Sequence, residues 1–259
     1  MIRIVLSIEY NGAAFTGWQS QPHGNTVQDV LEAALAVIAD APPVRVACAG
    51  RTDTGVHATS QIVHFDTEAN RPLNAWVRGV NSHLPQTVAV RWAHPVTTDF
   101  HARFSARSRS YRYLLLNRTS RPALLSGRVG WFHAPLDENA MRTAANHLLG
   151  EHDFSAFRAA ECQAKSPVKT LYRADISRER DLIVFDFRAN AFLHHMVRNL
   201  VGALVFVGKG RYPPEWMLEL LAACNRSQSA PTFDAAGLYF TEVEYSPEWN
   251  LPAQSIILP

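Results

Sequence analysis

Along the first hundred residues the period of the apolar positions changes several times. From Arg3 to Tyr10 it is two, as in a strand, and after Thr26 the apolar residues Val30, Leu31, Ala34, Leu35 and Ile38 fall on one helix face. Thr26 is placed to cap that helix and Pro42 to stop it. Strands are predicted near Val44 to Cys48, Gln61 to Asp66 and Val88 to Ala93, with a helix from Leu73 to His83. The order is β-α-β-β-α-β, a split ferredoxin-like unit. The second half reads similarly, with strands Ser110 to Leu116, Val129 to His133, Leu171 to Ser177 and Leu182 to Arg188 and a last strand Gly237 to Tyr245. Its helices are predicted at Glu138 to Leu149, Leu193 to Val207 and Pro214 to Ala223, with loops at Phe157 to Thr170 and Pro231 to Asp234. The expectation is an α+β protein of two related halves, 1–103 and 104–259, with a cleft between them.

Composition narrows the class without naming a function. The chain has 259 residues, 47% of them hydrophobic, which suits one large or two small domains with real cores. No apolar stretch approaches a membrane span, and Met1 to Tyr10 has neither a basic leader nor a cleavage site, so a cytoplasmic location is expected. Cys48, Cys162 and Cys224 are odd in number and lack Cys-x-x-Cys spacing, the pattern of free thiols. A net charge of +2 favours no partner, but its distribution does. From His101 to Arg121 there is no acid, while Arg103, Arg107, Arg109, Arg112, Arg118 and Arg121 alternate with Phe104, Tyr111 and Tyr113. Arginine forks grip phosphate and aromatic rings stack on unpaired bases, so this segment points to RNA as well as to a solvated charged face.

The chemistry is concentrated in Ala49-Gly50-Arg51-Thr52-Asp53-Thr54-Gly55-Val56-His57-Ala58. Gly50 and Gly55 bracket a shaped loop with Asp53 at its centre, either a site or a turn whose aspartate caps its own backbone. Asp53-Thr54-Gly55 spells the aspartic-protease triplet, but no second copy supplies the partner carboxylate. An aspartyl-phosphate enzyme would want a neighbouring acid for Mg²⁺, and the loop has none.

Gly50-Arg51-Thr52-Asp53 with Gly55-Val56-His57-Ala58 resembles the catalytic motif of the tRNA pseudouridine synthase A family. The resemblance extends over nearly the whole chain. Tyr10-Asn11-Gly12, Phe15, Gly17-Trp18-Gln19 and Thr26-Val27-Gln28 are similar to the family's opening; Phe104-Ser105-Ala106 and Tyr111-Arg112-Tyr113 to its middle. Phe154-Ser155-Ala156-Phe157, Phe192 to Asn199 and Gly237-Leu238-Tyr239 are similar to its later blocks. Departures are small, with Thr54 where the family often has Ala and Ser60 where it often has Gly.

The resemblance implies the pseudouridine-synthase fold, a central mixed, mainly antiparallel sheet with a catalytic cleft between its halves. It implies isomerisation of uridines at positions 38, 39 and 40 in the tRNA anticodon arm by a homodimer, without cofactor or metal. By the same resemblance Asp53 is the nucleophile, Tyr111 the ring beneath the flipped base and Arg198 the cationic partner of the aspartate. Arg51, His57, Arg107 and Arg109 are candidate RNA contacts. His194 and His195 are not expected to ligate a metal, because adjacent helical residues point apart. The contrasting expectation is a non-catalytic RNA-binding module.

Overall fold

The computed structural model describes residues 1–22, 24–41 and 43–253. In chain order its first elements are β1 (Ile2–Tyr10), α1 (Val27–Ala39), β2 (Ala47–Cys48), β3 (His57–Thr67), a π-helical turn at Ala75–Gly79 and β4 (Val88–Val96). There follow β5 (Ser108–Asn117), β6 (Gly130–Phe132), α2 (Glu138–Asn146), β7 (Gly150–Asp153), β8 (Val168–Glu179) and β9 (Leu182–Ala189). Last come α3 (Met196–Gly208), α4 (Trp216–Ala223) and β10 (Leu238–Glu244). They form an α+β structure of two compact units, Met1–Arg107 with the segment from Tyr239 onward, and Ser108–Leu238.

The expected division at 103/104 thus moves to 107/108, and the C-terminal strand leaves the second half for the first. The reason is pairing: β10 runs parallel to β3, with Tyr239 beside His57 and Phe240 beside Ala58. Backbone hydrogen bonding to a strand nearly two hundred residues earlier leaves no periodic trace in the sequence.

In the first unit the strands run in the order β4, β1, β3, β10, with β2 on β3. β1 is antiparallel to both β3 and β4. Its alternation does not mean one wet face, because Ile4 to Ile8 are all buried. β3 is covered on both faces too: Trp76 meets Phe65 at 5.1 Å, while the Phe100–Ala102 segment closes over His64. α1 begins as expected, Thr26 accepting the Asp29 N–H. It ends at Ala39 with Asp40 left-handed at φ 53°; the expected stop, Pro42, lies outside the described residues.

In the second unit β5, β9, β8 and β7 form an antiparallel run, with β6 parallel to the other edge of β5. β9 alternates cleanly: Ile183, Phe185, Phe187 and Ala189 are buried, and the residues between them are half-exposed, as in a sheet with one packed face. α2 and α3 pack together where Gly208 admits Met141; a Cβ there would lie 2.7 Å from its sulfur. β7 escapes the sequence reading because its four polar-rich residues carry no apolar period.

His64 accepts the Ala102 N–H through Nδ1, which requires an unprotonated ring nitrogen. Burial, then Arg3 and His101, hold its pKa down to about 4 from 6.5. The unfolded chain therefore binds the proton first on acidification. The stability that His64 contributes should fall as pH drops from about 6.5 towards 4 and be gone below. His64→Asn, which keeps an acceptor but not the titration, should show a shallower fall in Tm between pH 7 and 5; parallel melting curves for the two proteins would refute this.

Candidate active site

Asp53 sits half-buried in a loop that the rest of the first unit fixes at several points. At its entrance the Ala49 N–H donates to Ile62 O at 2.8 Å and Gln61 Nε2 donates to Gly50 O at 2.6 Å. At its centre the Trp18 N–H donates to Thr52 O at 3.0 Å, and the Thr52 hydroxyl shares a 2.8 Å hydrogen bond with Tyr10 Oη. At its exit the Val56 N–H closes a turn onto Asp53 O at 3.1 Å, with Gly55 at φ 81°. The segment is thus a turn fixed from outside itself. The backbone of Asp53 closes the turn, and the structure spends residues from two other segments on holding it.

Two glycines outside the loop make this possible. A Cβ on Gly12 would fall 1.9 Å from Val56 O, and one on Gly17, at φ 94°, would fall 3.0 Å from Thr52 O. The segment 12–18 thus presses its backbone directly against the backbone of 52–56. This gives Tyr10-Asn11-Gly12 and Gly17-Trp18 their physical role as a clamp on the aspartate loop. Desolvation pushes the thiol of Cys48, at the foot of the loop, up to about 11 against the pull of Arg51, which keeps it protonated at neutral pH.

Of the expected RNA contacts in this unit, Arg51 is exposed on the loop, and so is Arg107, whose Nη2 reaches Ser246 Oγ at 3.2 Å. His57 requires correction. Its side chain is 3% exposed, its Nδ1 accepts the Gly12 N–H at 3.1 Å, and its ring stacks on Tyr239 at 4.7 Å. It offers RNA no surface; it holds the loop exit against β10.

In the second unit Tyr111 and Tyr113 share the core face of β5, opposite Phe187 and Phe185 of β9. The core closes over Tyr113, which is fully buried and donates to Asp234 O at 2.8 Å; burial raises its phenol well above the ordinary value. Tyr111 lies two residues nearer the strand start and stays half-buried, edge-on to Phe192 at 5.0 Å. Only Tyr111 of the pair retains ring surface for a ligand. Arg109, on the same strand face, donates through Nη1 to Asn190 O at 2.9 Å.

Arg198 lies in the first turn of α3, half-buried, its direction set by the loop expected at Pro231 to Asp234, although nothing in the sequence tied that loop to the arginine. Its Nε donates to Phe233 O at 2.8 Å while the Phe233 N–H donates to Arg198 O at 3.2 Å. That loop is itself tied to α3. Buried Asn199 accepts from the Thr232 hydroxyl at 2.7 Å and from Arg226 Nη2 at 3.1 Å, and Gly202 makes room for Pro231 O, which would lie 2.4 Å from a Cβ. The arginine therefore belongs to a built support, which separates it from a surface ion pair on the helix. His194 and His195 precede the helix, with His195 at φ 61°, and their rings lie 4.0 Å apart. The expectation that they point apart, made for helical residues, does not hold.

A profile of the family described as tRNA pseudouridine synthase matches residues 6–105 and 144–246. The chain belongs to the tRNA pseudouridine synthase family. It is 63% identical over 251 residues to the tRNA pseudouridine synthase A of Dechloromonas aromatica, across 97% of this chain and 95% of that protein. It is 64% identical over 257 residues to the enzyme of that name from Aromatoleum aromaticum, across 99% and 97%. Among solved structures an archaeal box H/ACA sRNP Nop10-Cbf5 complex shares 11% identity, with a TM-score of 0.38 over 78% of this chain and 44% of that one, too distant to bear on the assignment. The matched family residues include the whole Asp53 loop, its clamp and Arg198, whereas Tyr111, Arg107 and Arg109 fall between the two matched spans.

Replacing Gly12 by Ala should lower stability by about 1–3 kcal/mol, the range for forcing extra volume into a packed site, or displace the loop and depress activity. Gly24→Ala, at φ 71° with nothing within 4 Å, carries only left-handed strain of about 1–2 kcal/mol. Denaturant titrations and turnover compare them, and a Gly12→Ala protein as active and no less stable than the Gly24→Ala protein would contradict the clamp.

Proposed function

We propose that this chain isomerises uridine to pseudouridine at positions 38, 39 and 40 of the tRNA anticodon arm, with Asp53 as the nucleophile. The observation that carries the assignment is the clamped loop, which presents one half-buried carboxylate with no acidic neighbour in its own segment. The family membership supplies the reaction. In it the bond from uracil N1 to ribose C1′ breaks, the uracil turns, C5 bonds to the same carbon, and the C5 proton leaves as N1 gains one. No atom is added or lost overall and no electron acceptor is needed. An ionised carboxylate suits both covalent catalysis and stabilisation of positive charge at the sugar.

Tyr111 supplies a ring for the base taken out of the stack, supported by its half-buried edge-on seat against Phe192. Arg198 supplies the cation that keeps Asp53 charged, supported by the oriented seat on Phe233 O and by the family resemblance. Arg51, Arg107 and Arg109 contact RNA, with the first two exposed. The acting form is a homodimer, on the strength of the same resemblance, and a cytoplasmic location fits a family that acts on tRNA. Among the described residues no helix is long and apolar enough to cross a membrane.

Release of tritium from 5-tritiated uridine in tRNA distinguishes this reading from a non-catalytic RNA-binding module, since binding alone releases none. Asp53→Asn keeps size and most hydrogen bonding but removes the charge. It is expected to melt near the wild-type temperature, bind tRNA within a few fold, and form no pseudouridine detectable by mass spectrometry after cyanoethylation. Appreciable turnover in that variant would remove Asp53 from the nucleophile's role.

Tyr111→Phe keeps the ring and loses the hydroxyl, whereas Tyr111→Leu loses both. Both should be strongly impaired in turnover while retaining tRNA binding. Wild-type rates in both would return Tyr111 to the core of the second unit.

A further inference from the structure

We infer that Phe104 is a stacking platform for an unpaired tRNA base, outside the Asp53 loop; the inference rests on the proposed action on tRNA. Phe104 is 75% exposed, although the turn that carries it has Phe100 and Ala102 completely buried. A large ring left in water forgoes the stabilisation its burial would bring, and mobility does not account for it here. The turn is over-determined. The His101 N–H donates to Ser105 Oγ at 2.9 Å, the Ser105 N–H returns to His101 O at 2.8 Å, and His101 Nδ1 accepts the Arg103 and Phe104 N–H groups at 3.1 and 3.4 Å. Below it, Ala102 donates to His64 Nδ1 at 3.1 Å and accepts from Tyr245 Oη at 2.6 Å.

The backbone that carries the ring is therefore fixed before any ligand arrives, and a partner meets less of the entropy of ordering it. Its immediate neighbours define the partner. The His101 ring lies 4.3 Å away at 34°, and the Arg103 guanidinium carbon is 5.6 Å from the Phe104 centroid. A ring left 75% exposed with a guanidinium over it matches a base with its phosphate. His101 and His64 both hold their protons less readily than usual, through burial first and then neighbouring cations, so both stay acceptors for the turn and the permanent cation beside Phe104 is Arg103. Leu124 is more exposed still, but an aliphatic side chain offers a base no ring to stack on.

The test uses the full chain with Phe104→Ala and Phe104→Trp, measuring tRNA binding, steady-state pseudouridine formation, melting and mass by light scattering. Phe104→Ala should raise Kd and KM for tRNA by about 5- to 150-fold, the range for losing one base stack, with kcat within about twofold. Its Tm should stay within about 2 °C, as for other exposed substitutions. Phe104→Trp should restore both constants, and its indole fluorescence should change on adding tRNA. Binding by Phe104→Ala within twofold of wild type, or a loss that Trp does not restore, overturns the inference while leaving the proposed function intact. A loss accompanied by a fall in mass overturns it in favour of a contact between copies of the chain. A wild-type protein that neither binds nor modifies tRNA overturns both.

Discussion

The feature on which the site depends is the direct apposition of two backbones, residues 12–18 against residues 52–56. Peptide groups come this close only where no Cβ intervenes, and Gly12 and Gly17 remove it at the two places where Val56 O and Thr52 O approach. The hydrogen bonds from Trp18 and to Tyr10 then have the right length because the chains already touch. β1 and β3 bring the two segments together, since Tyr10 ends the strand that pairs with β3 and His57 begins β3. A carboxylate on a flexible loop would have to be ordered anew for each encounter with a ligand; one held this way is ordered by the fold.

The second unit solves a similar problem with polar side chains. Arg198 takes its direction from Phe233 O, Phe233 takes its place from the loop 230–234, and the loop is held on α3 by Asn199, Arg226 and the gap at Gly202. Phe233 O and the side-chain oxygen of Asn199 each accept a donor there, as a buried polar network needs if it is to specify one geometry. Tyr113 belongs to the same construction through Asp234 O, which is why it disappears into the core while Tyr111 does not.

The arginine-rich middle of the chain proves to be several different things. Arg112 makes a two-pronged pair with Asp186 at 2.7 and 2.8 Å, Arg109 and Arg118 bond backbone carbonyls, and Arg103 lies beside an exposed phenylalanine. Arg158, in the loop before β8, and Lys169, at the start of β8, likewise turn onto carbonyls of their own segment. Basic composition thus marked regions where backbone needed donors as well as regions that could meet phosphate.

What the sequence determined by itself was the α+β order of elements, the helix cap at Thr26, the loop with Asp53 at its centre and, through the ordered motifs, the family. These are legible because they depend on local period, on turn residues and on short patterns that sit within one segment. The tertiary structure alone decided that β10 joins the first unit, that β1 and β3 are buried on both faces, that His57 is a packing residue and that Tyr111 rather than Tyr113 keeps an open ring. It also decided which arginines spend their donors on the protein. Each of these outcomes turns on a partner distant in sequence, and a residue's own type does not say whether its surroundings will be a carbonyl, a ring or water.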